Sequence, residues 1–328
     1  MKKKYFLWAD IIRILAIFLV VAVHLSYLPQ NISIDNFFYY VHFAIAKTSV
    51  PLFVMLSGAL LLTKAESSKD FYTKRLRRIL FPWIFWSIIY IFFLGFPVSF
   101  SGLKAAMVSF WFMPMITGLY VLTPIMRKMT LNSKWYDLLV IVVLWFVSVS
   151  LLPYYHQSQA FPFSADSGIV RQVISFVGYY LLGFYIIKFI PGTKRTIIIA
   201  SIFTILGLLA SLLSFAFKGG TQEYLYFFDY GSPGIVLFSI GLFMLISSLS
   251  NSLIQKIAPY RAIISSISAA SFGIYFVHLI IWKYMQELVL MKNNPVQNML
   301  VSLIVVFAIS YFVIAMGRKI PLLRNIIS

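Results

Sequence analysis

The sequence predicts an all-α fold: a polytopic integral membrane helical bundle of about ten transmembrane helices with N and C termini cytoplasmic. Three observations carry this. Hydrophobic residues make up 61% of the 328 and charged residues 11%, against roughly 25% charged in soluble domains. Apolar runs of the ~20 residues that cross a hydrocarbon core recur from Trp8 to Gly317, with no soluble-sized stretch between them. The basic residues alternate between the runs in a way that sets orientation.

The expected spans are 8–28, 39–62, 79–96, 107–126, 137–155, 172–190, 196–217, 233–248, 263–285 and 298–317, so residues 1–328 form one transmembrane domain. With the N-terminus inside, 20 of the 27 basic residues fall in cytoplasmic segments, among them Lys2, Lys3 and Lys4, the cluster Lys74 to Arg78, and Arg127. The outside loops hold only Lys104, Lys218 and Lys292. The net charge of +18 is then accounted for by orientation and by contact with anionic lipid, not by nucleic acid, because the cations are spread over short loops instead of gathered on one face. Met1-Lys2-Lys3-Lys4 ahead of an apolar run resembles a signal peptide. It lacks a small-residue cleavage site, and Arg13 and His24 interrupt the run, so it is expected to be a retained first span.

The absence of cysteine excludes structural disulfides, thiolate metal sites and a cysteine nucleophile. No glycine-rich phosphate loop, HExxH or GxSxG is present, and no metal is expected. No internal repeat of the kind that marks many secondary transporters is visible.

Ionisable side chains at membrane depth are costly and face a bundle interior or a wet cavity, so those inside the spans are the candidates for function. Asp10 and Arg13 are one helical turn apart and can pair. Arg13 and His24 are eleven residues apart, which at 100° per residue brings them within ~20° of one face and ~16 Å apart along the axis. Their alternative role is structural, with Arg13 completing the inside charge and His24 bonding a neighbouring helix. Lys47, near mid-depth in the second span, needs a carboxylate, carbonyls or water; His42 is not quite on its face. Pro51 and Ser57-Gly58 suit a kink and close helix approach. In the basic cluster, Arg75, Arg77 and Arg78 serve either as lipid anchors or as a phosphate site, for which arginine forks match phosphate oxygens. In the ninth span Ser271, Tyr275, His278 and Trp282 follow a spacing of four, three and four, one polar-aromatic face, with His278 level with His24. Packing is the alternative account of that stripe. The common depth of His24, His278 and Lys47 predicts a shared cavity.

These residues resemble the acyltransferase-3 family of membrane O-acyltransferases. Asp10, Arg13 and His24 reproduce its arginine-ten residues-histidine signature. Val50 to Leu60 is similar to its VPLFFxxSGxLL segment, Lys74 to Pro82 to its KRxxRIxxP loop, and Trp111-Phe112-Met113-Pro114 with Leu119-Tyr120 and Pro124 to its WFLP…LY…P span. Tyr180 to Gly183 and Ser271 to His278 resemble two further helices, all in the family's order. Val54 departs from the usual aromatic. No extracytoplasmic esterase-like domain is appended, so the resemblance implies that this domain alone completes the transfer.

The resemblance implies an acyl-CoA, most often acetyl-CoA, as cytoplasmic co-substrate, and a carbohydrate or glycolipid hydroxyl of the bacterial-type cell envelope as acceptor. On that expectation Arg75, Arg77, Arg78 and Arg13 receive the CoA phosphates. His24, with Arg13 and Asp10, is the catalytic group, acting as general base. Lys47, Ser271, Tyr275 and His278 contact substrate or the oxyanion. Without cysteine, transfer is direct or through an acyl-histidine, direct transfer being preferred. A transporter or exporter of an envelope glycan or small solute, and a lipid-binding structural partner, are the rival readings.

Overall fold

A computed structural model of the chain describes residues 6–26, 37–155, 168–218, 228–249, 256–288, 295–324 and 327. Lys2, Lys3, Lys4, Lys292 and the last two residues of the first expected span lie outside these. All regular structure among the described residues is helical. The main helices are α1 (Leu7–Leu25), α2 (Phe37–Lys47), α3 (Ser49–Leu61), α4 (Ser68–Leu94), α5 (Phe100–Ser109), α6 (Phe112–Leu131) and α7 (Trp135–Phe146). After a π-helical segment, Val147–Leu151, come α8 (Leu152–Tyr155), α9 (Ile169–Phe189), α10 (Lys194–Lys218), α11 (Pro233–Ser247), α12 (Arg261–Leu288), α13 (Pro295–Gly317) and α14 (Pro321–Arg324).

Among the described residues seven helical stretches are long and apolar enough to cross a membrane, and α5 with α6, bent by 74°, makes an eighth if taken together. Trp135–Leu151 and α11 are apolar but shorter. Each expected span overlaps one of these stretches, so the protein is a polytopic membrane helical bundle. Helix α1 is at its centre, packed on α3 and α12 and touching α2, α11 and α13.

Three local expectations are corrected. The basic cluster Lys74 to Arg78 is not in a loop before a span that starts at 79. Helix α4 begins at Ser68, because the Ser67 hydroxyl accepts from Asp70 N at 3.1 Å and caps the first turn. The fourth span is not one straight helix from 107. It breaks at Phe110-Trp111, where Pro114 is confined to the first turn of α6 and the Met107 carbonyl accepts from Phe110 N at 3.3 Å and from Trp83 Nε1 at 3.2 Å. Arg127, expected in the segment that follows the fourth span, lies within α6. It is 5% exposed, and its Nη2 donates to Leu61 O at 2.9 Å, the last carbonyl of α3, and its Nη1 to Glu66 O at 3.1 Å in the segment that follows.

The Pro51 kink is present as a break at Thr48. Pro51 offers no N–H to the Lys47 carbonyl, and α3 restarts so that Pro51 lies in its first turn, where no donor is needed. Helix α3 then crosses α9 at backbone distance. A methyl group at Gly58 would overlap the Tyr180 carbonyl, and one at Gly183 would overlap the Met55 carbonyl. Each glycine thus receives the other helix's backbone, the small-residue packing that holds helices together where lipid offers no hydrophobic drive.

Candidate active site

The crossing of α1, α3, α6 and α12 leaves two cavities that share a wall. The first, about 870 Å³, is lined by five cations, Arg13, Lys64, Lys74, Arg75 and Arg78, and one carboxylate, Glu66, with Tyr120 and Ser271. The second, about 500 Å³, is lined by His24, Lys47, Trp111, Asp229, Tyr230 and His278. Phe53, Phe112 and Tyr275 line both. Their rings run in sequence across the bundle, with centroids 6.2 Å apart for Phe53 and Phe112 and 5.6 Å apart for Phe112 and Tyr275. Phe112 reaches this wall because the corner between α5 and α6 turns it inward.

In the basic cavity Arg13 is fixed by two partners. Its Nη1 donates to Asp10 Oδ1 at 2.8 Å and to Ser268 Oγ at 2.7 Å, and the Ser268 hydroxyl in turn donates to Asp10. The pair expected one turn apart is therefore a triad that ties α1 to α12. Asp10 acts through Arg13 and does not itself line the cavity. Arg75 and Arg78, three residues apart on α4, face the cavity; Arg77, 200° round the helix from Arg75 at 100° per residue, lines neither cavity and is exposed. Buried Arg75 Nε has no hydrogen-bond partner among the described residues. A cluster of guanidinium and ammonium groups with an unmet donor suits a polyanion such as a nucleotide phosphate.

In the second cavity the two histidines meet. His24 Nδ1 is 2.8 Å from Val20 O and 3.4 Å from His278 Nε2, and the ring centroids are 4.9 Å apart. The tautomers follow from the partners. A carbonyl only accepts, so His24 Nδ1 carries the proton. His278 Nδ1 is 3.1 Å from Ile274 O and likewise carries one, which leaves His278 Nε2 as a lone pair facing His24 Nδ1–H. His24 Nε2 is then the unprotonated nitrogen, turned away from Val20 and His278. Both rings line the cavity, and His24 is the more accessible of the two, His278 being 1% exposed.

Ser271 lines the basic cavity, Tyr275 both cavities and His278 the second, so the spacing-derived stripe on α12 spans them. Trp282, its fourth member, packs against the core instead. His24, His278 and Lys47 do share a cavity. Both nitrogens of His278 are engaged, which removes it from the oxyanion-donor role left open by the spacing. Lys47 Nζ stands over the Tyr230 ring at 4.5 Å and the Phe43 ring at 5.0 Å.

Asp229, Tyr230, Ser268 and Trp111 are components that residue spacing did not single out for the site. Ser268 lies three residues before Ser271, close to that face, and was open to a periodicity argument. Asp229 was not: it precedes α11 in an irregular stretch, and its only cue was that an intramembrane lysine wants a carboxylate.

No curated protein matches this chain, and no solved structure does. Residues 6–316 match the acyltransferase 3 family, described as an acyltransferase domain. The Arg13–His24 stripe, the paired cavities and the match over nearly the whole length agree, and the chain belongs to the acyltransferase 3 family of membrane acyltransferases.

Proposed function

We propose that the protein is an O-acetyltransferase of the cell membrane. It moves an acetyl group from cytoplasmic acetyl-CoA to a hydroxyl of a cell-envelope polysaccharide, glycolipid or lipid-linked sugar. The observation that carries this reading is the shared wall: a cationic cavity and a histidine cavity meet at Phe53, Phe112 and Tyr275. The distribution of basic residues supports ten crossings with both termini and the cationic cavity on the cytoplasmic side, against anionic lipid.

Arg75, Arg78, Lys64 and Lys74 hold the CoA phosphates, and Arg13, kept in place by Asp10 and Ser268, stands at the same cavity. The thioester reaches the aromatic wall, and the acceptor hydroxyl comes from the other side. His24 Nε2 takes the hydroxyl proton as the oxygen attacks the thioester carbonyl. The C–S bond then breaks, the ester forms, and the CoA thiolate recovers the proton from His24. The imidazolium formed in between keeps its Nδ1–H on Val20 O and His278 Nε2. Tyr275, which lines both cavities, supplies the hydroxyl that meets the developing oxyanion.

The test is acetyl transfer by the purified protein in lipid nanodiscs, with radiolabelled acetyl-CoA and sugar acceptors. Loss of transfer in His24→Ala, with an unchanged melting transition, is the expected result. Full activity in that variant, or no consumption of acetyl-CoA by the native protein, refutes the reading.

A further inference from the structure

The transfer chemistry leaves unused an arrangement of charges in the histidine cavity. Lys47 and Asp229 both line it, close enough for their charges to act on each other, yet no direct ion pair joins them. Among the described residues Lys47 Nζ makes no hydrogen bond; its close contacts are the ring faces of Tyr230 and Phe43. Asp229 is held from behind. Its Oδ1 accepts from Tyr230 N at 2.6 Å, the Tyr230 carbonyl accepts from the Tyr179 hydroxyl at 2.6 Å, and the Gly231 carbonyl accepts from Ser150. Ser150 belongs to the π-helical segment of the α7 stretch, an irregularity of a kind often found at functional sites.

Ring faces attract an ammonium but accept none of its three N–H bonds in the way an oxygen does. The gap between Lys47 and Asp229 therefore wants a group that accepts from one side and donates to the other. A hydroxyl does both with one atom. A carboxylate or phosphate satisfies Lys47 but is opposed by Asp229, and a cation has the reverse fault. Trp111 and Tyr230, with ring centroids 5.6 Å apart, add apolar faces suited to the C–H side of a pyranose.

Resting on the acyl-transfer reading, we infer that Lys47 and Asp229 bracket one hydroxyl of the acceptor while another is presented to His24, and that this pair selects an uncharged sugar over a uronic or phosphorylated one. Lys47 and Asp229 are specificity-determining residues; the proton transfer stays with His24.

The experiment uses the full chain in nanodiscs with acetyl-CoA and two panels of probes: methyl glucoside, galactoside and mannoside, and the corresponding methyl uronides. Acetylated products are measured by mass spectrometry and acetyl-CoA binding by thermal shift. The expected result is transfer to a neutral glycoside with kcat/KM at least about tenfold above its uronide, the scale of one charge-assisted hydrogen bond. Asp229→Asn keeps an oxygen for Tyr230 N, and is expected to raise the neutral acceptor's KM and narrow the preference over the uronide. Lys47→Met raises the same KM, and acetyl-CoA stabilisation persists in both variants. Equal use of the two panels, an unchanged acceptor KM in both variants, or acetylation of neither panel by a protein that binds acetyl-CoA overturns the inference. Absence of acetyl-CoA binding in the native protein removes the acyl-transfer reading as well.

Discussion

His278 Nε2 faces His24 Nδ1 at 3.4 Å, and the proton between them belongs to His24. The contact is long for a hydrogen bond, and the Val20 carbonyl at 2.8 Å is the stronger partner. Together they hold one tautomer and leave Nε2 as the basic nitrogen of a ring that lines the cavity. The arrangement serves the same end as an orienting acceptor behind a catalytic histidine, with a neutral imidazole in place of a carboxylate.

On the proposed mechanism His278 is a positioning residue. His278→Leu is expected to lower kcat by about tenfold or more while leaving the acetyl-CoA KM unchanged, a small part of the 10²–10⁴ that general base catalysis supplies. His278→Gln, whose amide oxygen can take the place of Nε2, is expected to recover part of the loss. Steady-state kinetics of the two variants decide it; an equal effect of both, or an effect on KM alone, contradicts the role.

On the acetyl-CoA reading, the basic cavity makes a sharper distinction within one cluster. Arg75→Ala and Arg78→Ala each remove a cation from the wall of the basic cavity, and each is expected to weaken acetyl-CoA binding by about tenfold or more, the range of one charge-assisted hydrogen bond. Arg77→Ala, on the far side of α4, is expected to leave that affinity unchanged. Calorimetric titration with CoA separates the three. A loss for Arg77→Ala as large as for Arg75→Ala would mean that the cluster acts by general charge.

The crossing of α3 and α9 sets the position of Phe53 in the shared wall, so it connects packing to function. Gly58→Val or Gly183→Val forces the two backbones apart, because the new side chain meets a carbonyl and not a movable side chain. Overpacking of this kind costs about 1–3 kcal/mol, more where backbone must move. A lower melting temperature in nanodiscs is expected for both, with little additivity in the double variant since the first substitution already opens the crossing. Melting temperatures equal to that of the native protein would contradict the close approach.

Much of this was open to periodicity. A rotation of 100° per residue aligned Arg13 with His24, put Ser271, Tyr275 and His278 on one stripe, and placed both histidines at one depth, because each relation lies within a single helix or follows from a helix's length. The same rotation also separates Arg77 from Arg75. It pairs Arg75 with Arg78 one turn on, but a loop placement of Lys74 to Arg78 hides the separation of Arg77, because the cap that starts α4 after Ser67 depends on a single serine hydroxyl. The corner at Phe110-Trp111 was hidden for a related reason: α5 and α6 are both apolar, so hydropathy runs through the break without a dip. Arg127 looked like any positive-inside arginine, since nothing in its own neighbourhood says that the end of α3 lies beside it. Asp229 and Lys47 come from distant, irregular and regular parts of the chain, and only the fold brings them to one cavity.

The wall between the cavities has a testable role of its own. Phe53, Phe112 and Tyr275 line both the cationic and the histidine cavity, so on the proposed mechanism a thioester that reaches them is shielded from water until an acceptor occupies the second cavity. Exclusion of water prevents hydrolysis of a reactive acyl group and strengthens the electrostatic interactions around it. Removing one ring should join the cavities and admit water beside His24, where a general base can activate water in place of a sugar hydroxyl. Phe53→Ala is therefore expected to raise acetate release from acetyl-CoA in the absence of acceptor, while transfer to sugar falls. Tyr275→Phe keeps the ring and loses the hydroxyl, so it should keep hydrolysis low and reduce transfer alone if that hydroxyl meets the oxyanion. Measuring free acetate and acetylated product in parallel separates the two functions of the wall. Acetate release unchanged in Phe53→Ala would show that something other than these rings keeps water from the thioester.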